Sequence, residues 1–160
     1  MTKEEAIIKI KKIVRETSKL IPLSYEDNLP PIKLYPDIPA WHSYEGEIWQ
    51  KGEEIRQLLC EHKNLRKDKE LLQLILSIAL NRNAKRGRQS FIMLLWYKHC
   101  AEYADLLIKQ IDDDFVRGYI IEGLNKMKAG QFVPLVRPYQ TDKLTWIRNQ
   151  AKKYINQYDV

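Results

Sequence analysis

The sequence predicts an all-α fold of about seven or eight helices, with a long proline-rich connection after the first. Apolar residues recur at helical spacing through most of the chain, and the seven prolines are concentrated in two segments. Three arginines, Arg86, Arg117 and Arg148, lie 31 residues apart, and each is followed by glycine or asparagine. A fixed period of this length indicates stacked repeats, so we expect a right-handed α-α superhelix.

The composition limits the class of protein. A chain of 160 residues with 44% hydrophobic residues is long enough to build one core without disulfides. Cys60 and Cys100 form no Cys-x-x-Cys pair, which indicates a reducing compartment. The N-terminus lacks the pattern of a secretory signal, and no apolar run is long enough to span a bilayer. We therefore expect a cytoplasmic protein.

The net charge of +6 is unevenly distributed along the chain. Residues 1–20 carry a charge of +3, residues 21–62 carry −5, and residues 63–160 carry +8. Such blocks either pack on one another or face different charged partners. We predict one domain over residues 1–160, with N-terminal helices and a proline-rich connection in 1–62 and helix pairs in 63–160.

A capping box, Thr2-Lys3-Glu4-Glu5, predicts a first helix that ends at about Leu20. From Pro22 to Tyr44 five prolines remove amide donors and predict an irregular connection. Because this connection also carries many apolar groups, we expect it to lie extended across the helices rather than to be a solvated linker. Trp41 either anchors the connection in the core or lines a recognition surface together with Tyr44.

A second helix is predicted from near Tyr44 or Glu47 to about His62, with Gly52 as a weak point. One side is apolar and is expected to be buried. The opposite side is acidic, and it consists of Glu45, Glu47, Glu53, Glu54 and Glu61. A third helix, from Asp68 or Lys69 to Leu80, is apolar nearly all round and should be covered on both sides.

The remaining chain predicts a further series of helices. Their expected ranges are Arg86–Cys100, Ala101–Ile111, Phe115 to about Lys128, a short helix over Phe132–Tyr139, and a last helix that Asp142 opens. The three aspartates at 112–114 are expected to cap the helix that follows them. Gly130 is expected to end that helix as a left-handed residue.

Two segments, Asp113–Leu124 and Asp142–Ile155, resemble the second helix of HEAT-type repeats. Each has an aspartate at the turn, an apolar residue followed by arginine, and then small and large apolar groups at helical spacing. The resemblance covers residues 112–158, is weaker over 84–111, and is absent before about residue 63.

The resemblance implies two sets of functional positions. A ladder between neighbouring repeats would contain Asp114, Arg117, Asp142 and Arg148. The concave surface of the stack would present Tyr119, Glu122, Lys126, Arg148, Lys152 and Lys153. A broad concave surface suits a macromolecule better than a small substrate, which needs a deep pocket.

The sequence contains no recognisable catalytic set. His42, His62 and His99 are isolated, no His-Glu-x-x-His motif occurs, and glycine-rich phosphate loops are missing. Cys60-Glu61-His62 and His99-Cys100 have irregular spacing for a zinc site, so packing is the favoured role for both pairs. We therefore predict no enzymatic activity, no metal and no cofactor.

A protein-binding function is the leading prediction. Several immunity proteins of bacterial competition systems resemble this plan, so the implied partner is a toxin, which this chain would neutralise. The binding surface is either the concave face described above or the acidic helix with the proline-rich connection. The second alternative places Trp41, Tyr44, Glu47, Glu53 and Glu54 at the interface.

Nucleic-acid binding is the alternative prediction. Basic residues cluster in Lys63–Lys69 and Arg82–Arg88, and a third group lies in Lys143–Lys153. HEAT-like DNA glycosylases also use a basic curved surface. This chain is short for that family, and no residue matches the family's catalytic aspartate motif.

Overall fold

Helices dominate the computed structural model, which describes the whole chain from Met1 to Val160. Eight α-helices are present, and the only strands form one two-stranded hairpin, so the predicted all-α class is confirmed. The α-helices are α1 Lys3–Leu20, α2 Ser43–Glu61, α3 Lys69–Ala79, α4 Gln89–Met93, α5 Ala104–Leu107, α6 Arg117–Met127, α7 Val133–Val136 and α8 Thr145–Tyr158. The strands are β1 Pro31–Ile32 and β2 Tyr35–Pro39. Five 3-10 helices lie at Lys63–Lys67, Arg82–Arg88, Lys98–Tyr103, Ile108–Gln110 and Arg137–Thr141.

The chain divides into two compact units, Met1–Phe91 and Ile92–Val160. The internal boundary that the sequence suggested, between residues 62 and 63, falls inside the first unit. The reason is that α2 packs on the 3-10 helix Arg82–Arg88, which follows it by about twenty residues. The superhelical arrangement of the helices stays a prediction.

Helix α1 begins at the predicted capping box. The Glu5 amide donates to Thr2 Oγ1 over 3.1 Å, and the Thr2 amide donates to Glu5 Oε2 over 2.8 Å. The helix packs on α2 and α3. Its buried residues are Ala6, Ile10, Ile13, Val14 and Thr17. They follow the helical period that the sequence shows, so the apolar stripe of α1 is the one expected.

Helix α2 buries its predicted apolar side but departs from expectation at two positions. Glu45, which the sequence places on an exposed acidic side, is fully buried. Gly52, predicted to be a weak point, lies against another segment: a Cβ at this position would be 2.7 Å from the Ser90 Cβ. The missing side chain lets α2 approach the chain at Ser90, so this glycine serves packing.

The connection between α1 and α2 does not lie across the helices, and that expectation is wrong. Strands β1 and β2 pair in antiparallel fashion, and all seven of their residues are exposed. Trp41 is 40% exposed, so it is not a core anchor. α1 and α2 pack on each other, and α2 also packs on the 3-10 helix Arg82–Arg88, so their apolar sides are covered without the hairpin.

In the second unit several helices are shorter than the sequence suggests. The predicted fourth helix contains only Gln89–Met93 in α-helical form, and the predicted fifth breaks into alternating 3-10 and α-helical turns. Helix α6 starts at Arg117 with no side-chain cap, because Asp113 Oδ1 instead accepts from the Phe115 amide in the preceding turn. The left-handed residue after α6 is Lys128 with φ 58°, so the expected role of Gly130 is wrong.

The core of the second unit lies between α6 and α8. The residues buried here are Ile120, Ile121, Leu124, Met127, Ile147, Ala151, Tyr154 and Ile155. The Tyr154 hydroxyl accepts from the Phe132 amide over 3.0 Å and donates to the Ala129 carbonyl. This buried hydroxyl satisfies backbone groups at the start of α7, so α7 and α8 are joined by a polar contact as well as by packing.

Candidate protein-interaction surface

The segment from residue 21 to residue 42, here called the hairpin segment, holds the main group of exposed apolar side chains. Leu23 is fully exposed, Leu34 is 83% exposed and Tyr35 is 62% exposed. Ile38 is 51% exposed. Monomeric proteins rarely leave so many large apolar groups together in water unless the surface binds something.

Prolines limit the backbone hydrogen bonds that the hairpin can form. The Ala40 amide donates to the Pro30 carbonyl over 2.5 Å, and the strand register pairs Pro31 with Pro39. Prolines at 30, 31, 36 and 39 have no amide proton. The strands therefore offer few donors to a further strand, as is typical of protected sheet edges.

The 3-10 helix Arg82–Arg88, here called the platform, holds the hairpin segment at both ends. Asn83 Nδ2 donates to the Pro22 carbonyl over 3.1 Å. Lys85 Nζ lies 3.9 Å from the centroid of the Tyr25 ring, and the Arg86 guanidinium lies 5.6 Å from the centroid of the Trp41 ring. Cations over aromatic rings attract the ring faces, so these contacts fix the segment against the first unit.

Lys85 is the most constrained residue of the platform. Its backbone has φ 49° and ψ −127°, a conformation that costs a residue with a side chain on the order of 1–3 kcal/mol. Its side chain is only 1% exposed, and its ammonium group faces Tyr25. Strain of this size persists only where surrounding contacts hold it, so the junction between platform and hairpin segment is a well-defined structure.

Glu45 joins α2, the platform and the end of the hairpin segment. Its carboxylate accepts from the His42 amide over 2.6 Å and from the Arg86 amide over 3.1 Å. One oxygen also lies 3.1 Å from His42 Nδ1, while His42 Nε2 lies 2.6 Å from the Asn28 carbonyl oxygen. The histidine ring therefore links the carboxylate to the first part of the hairpin segment.

Tyr44 supports this junction from the first turn of α2. Its ring stacks on His42 with 5.1 Å between centroids, and its hydroxyl oxygen is buried without a hydrogen-bond partner. Burial, followed by the charges of Glu45 and Glu26, raises the pKa of Tyr44 to about 12. The phenol is therefore neutral at physiological pH, and its buried edge makes Tyr44 a packing residue rather than a charged contact.

The other predicted acidic positions of α2 differ in their availability. Glu53 Oε2 accepts from Arg56 Nε over 2.8 Å, and Glu54 lies 3.9 Å from Lys51 Nζ. Glu47 is exposed and forms no such pair. Glu47 and Glu54 both line an open cleft of about 470 Å³ on the outer side of α2.

In the second unit, Arg117 joins the start of α6 to the turn before α8. Its guanidinium lies 2.7 Å from Asp114 Oδ1 and 3.4 Å from Asp142 Oδ2. Its Nε donates to the Ile111 carbonyl over 3.0 Å. Arg148, by contrast, contacts no carboxylate and donates to the backbone carbonyls of Asp142 and Lys143 and to Thr145 Oγ1. Side chains thus connect three of the four positions of the expected ladder.

The predicted surface residues of α6 lie beside Trp96 and Trp146, which the sequence pattern did not place at this surface. The Tyr119 ring lies 6.2 Å from the Trp96 ring and 5.4 Å from the Trp146 ring. Lys126 Nζ lies 4.7 Å from the Trp96 centroid and 3.9 Å from a Glu122 oxygen. Lys152 and Lys153 are exposed on α8.

Two glycines inside α6 are the feature of the sequence that could have indicated that large side chains pack against this helix. A Cβ at position 118 would meet the Trp146 ring, and one at position 123 would lie 2.8 Å from Trp96 Cδ1. Glycine inside a helix weakens it by about 1 kcal/mol, so two in one short helix indicate close neighbours. The sequence shows the glycines but does not show which rings contact them.

The cysteines and acidic residues do not assemble a metal centre. No group of three or more His, Cys, Asp or Glu side chains is close enough together to hold an ion. Cys100 is buried, and burial raises the pKa of its thiol to about 11. None of the helices has the length and apolar character needed to cross a bilayer.

Comparison with protein-family models, with curated proteins and with solved structures found no match.

Proposed function

We propose that this protein is a non-catalytic protein-binding module of the bacterial immunity type, which neutralises a partner toxin. The observation that carries the proposal is the exposure of the hairpin segment. Seven of its apolar side chains are at least 37% exposed, and they are Leu23, Tyr25, Ile32, Leu34, Tyr35, Ile38 and Trp41. Tyrosine and tryptophan are the residues that most often dominate protein interfaces, and a short segment with this many exposed apolar side chains favours a protein partner.

The attachment of the hairpin segment supports the same proposal. A binding loop that is already ordered loses little conformational freedom when it meets its partner, so more of the contact energy appears as affinity. Asn83, Lys85 and Arg86 supply that order from the platform, and Glu45 supplies it from α2. Toxin–immunity complexes are among the tightest known, and they require no chemistry from the inhibitor.

Co-expression tests this proposal. The product of the adjacent gene is expressed with and without the chain, and cell survival and co-purification are measured. We expect the chain to protect the cells and to form a complex, and we expect Leu34→Ala with Tyr35→Ala to abolish both. Leu135→Ala, which removes a side chain 52% exposed on α7, is the control and should protect like the wild type.

Three results would overturn the proposal: a neighbour that is not toxic, a chain that protects against nothing, or a hairpin variant that protects as well as the wild type. Circular dichroism of the variant establishes that its helices are intact. Helices dominate this signal. A variant with a normal spectrum that no longer protects the cells has therefore kept its helices and lost the contact surface on the hairpin segment.

Nucleic-acid binding is the second candidate function, and the aromatic row of Trp96, Tyr119 and Trp146 favours it. Single-stranded nucleic acids stack their bases on such rings while nearby cations contact the phosphates. Retention on DNA or RNA that falls with salt would support this candidate. Replacing Lys152 and Lys153 by alanine should then lower the salt slope by about two. An unchanged slope would show that these lysines contact no phosphate.

A further inference from the structure

The hairpin segment carries acidic groups among its apolar side chains. Glu26, Asp27 and Asp37 are all exposed, and none of them takes part in a salt bridge. Lys33 is the only lysine or arginine between residues 21 and 42. This surface is therefore both apolar and negatively charged.

Helix α2 supplies less free negative charge than its sequence indicates. Glu45 is buried and accepts hydrogen bonds from backbone amides. Glu53 forms a salt bridge with Arg56, and Glu54 forms one with Lys51. Glu47 is the one predicted acidic contact of α2 that is exposed and takes part in no salt bridge, although Lys51 lines the same cleft. All three carboxylates of the hairpin segment are exposed and free of salt bridges, whereas only one of the three predicted acidic contacts of α2 is.

Backbone pairing is a poor mode of binding for this hairpin. β1 begins with Pro31, and β2 contains Pro36 and Pro39, so one of the two residues of β1 and two of the five residues of β2 have no amide proton. A partner that adds a strand needs a row of free amides along one edge. A partner of this hairpin must therefore recognise its side chains.

We infer that the hairpin segment inserts Leu34, Tyr35 and Ile38 into an apolar pocket of a partner protein whose rim carries lysine and arginine. Glu26, Asp27 and Asp37 would face that basic rim. The inference rests on the proposed function in taking a protein as the partner, and it adds the chemistry of the partner's surface. Apolar anchors supply most of the affinity in such an interface, and rim charges supply orientation and speed of association.

Photo-crosslinking identifies what covers the hairpin. Leu34 is replaced by the photoreactive residue p-benzoylphenylalanine in the full chain, which is expressed in the native host and irradiated. We expect crosslinked peptides from another protein in which apolar residues lie beside lysine or arginine. Crosslinks to a second copy of this chain, to nucleic acid or to an acidic peptide would overturn the inference.

The crosslinked protein, once purified, is the probe for affinity measurements at several salt concentrations. The triple charge reversal Glu26→Lys, Asp27→Lys and Asp37→Lys should weaken binding about tenfold or more and remove most of its salt dependence. The apolar variant Leu34→Ala with Ile38→Ala should raise the dissociation rate about tenfold or more and leave the salt dependence unchanged.

A matched control separates local charge pairing from the effect of total charge. Glu61→Lys, Glu102→Lys and Asp105→Lys change the net charge by the same amount at exposed positions outside the hairpin segment. We expect this variant to bind within about twofold of the wild type, since none of the three side chains belongs to the hairpin segment and exposed charges outside a contact surface are screened by salt. If it weakens binding as much as the hairpin reversal, the inference is wrong.

The outcomes also separate this inference from the proposed function. A toxic partner that binds the charge-reversal variant as tightly as the wild type would leave the proposed function standing and refute the basic rim. A partner that responds as expected but is not toxic would leave the rim standing and refute the immunity function.

Discussion

Replacing Gly52 by alanine tests how closely α2 approaches the segment around Ser90. An alanine Cβ would lie 2.7 Å from the Ser90 Cβ and 3.2 Å from Phe91 Cδ2. Ser90 is 2% exposed and Phe91 is fully buried, so neither can move into solvent. Rotation of the serine hydroxyl does not help, because its Cβ is fixed to the backbone.

The magnitude follows from two opposing effects. Alanine is favoured over glycine inside a helix by about 1 kcal/mol. An extra methyl group in a well-packed core costs about 1–3 kcal/mol. Because the Cβ–Cβ contact of 2.7 Å is shorter than side chains tolerate, the cost lies at the upper end of that range, about 2–3 kcal/mol. We therefore expect Gly52→Ala to lower the free energy of unfolding by about 1–2 kcal/mol, measured by urea denaturation with circular dichroism.

Gly46→Ala is the matched control, since it lies in the same helix and its Cβ would have no neighbour within 4 Å. It should raise the free energy of unfolding by about 0.5–1 kcal/mol, through helix propensity alone. The two substitutions therefore have opposite expected signs. If Gly52→Ala stabilises the protein as Gly46→Ala does, the close approach of α2 to Ser90 is wrong.

Three further changes test other contacts. Glu45→Ala leaves two backbone amides without their acceptor and should cost about 2–4 kcal/mol in urea unfolding, whereas Glu47→Ala on the exposed side should stay within about 0.5 kcal/mol; equal effects would contradict the burial of Glu45. Cys60 should react with a thiol reagent at pH 8 in the folded protein, while Cys100 should not, because it is buried and its pKa is raised to about 11, so little thiolate forms below that pH. Equal labelling rates would refute this difference. Arg117→Lys loses the side-chain contacts that join α6 to the turn before α8 and should lower the free energy of unfolding by about 1–3 kcal/mol. Amide hydrogen exchange should increase most near that turn.

The sequence predicts a helix well where the ends of the helix and its buried face depend on residues that are close together in the chain. Thr2 and Glu5 are three residues apart, so their capping box is visible in the sequence and sets the start of α1. The buried stripe of α2 follows in the same way from helical spacing. Where a helix depends on tertiary contacts, as at Arg86–Cys100, the pattern predicts helix but not its length.

The interaction surface could be predicted only in part. Trp41 and the proline-rich connection are apparent in the sequence, but apolar composition does not show whether a segment is buried or exposed. The sequence places Lys85 in a basic cluster but does not predict that Lys85 and Asn83 contact the hairpin segment, because those contacts lie about sixty residues earlier in the chain. Such contacts follow from the packing of α2 against the platform, which no local pattern contains.

The sequence by itself determined the helical class, the position of the first helix and the length of the proline-rich connection, because these depend on residues within a few turns of one another. Tertiary structure alone decided that Glu45 is buried while Glu47 is exposed, and that Gly52 is crowded while Gly46 is not. Each pair consists of the same residue type in the same helix. What separates the members is the face of α2 that meets Arg86 and Ser90, some forty residues later in the chain.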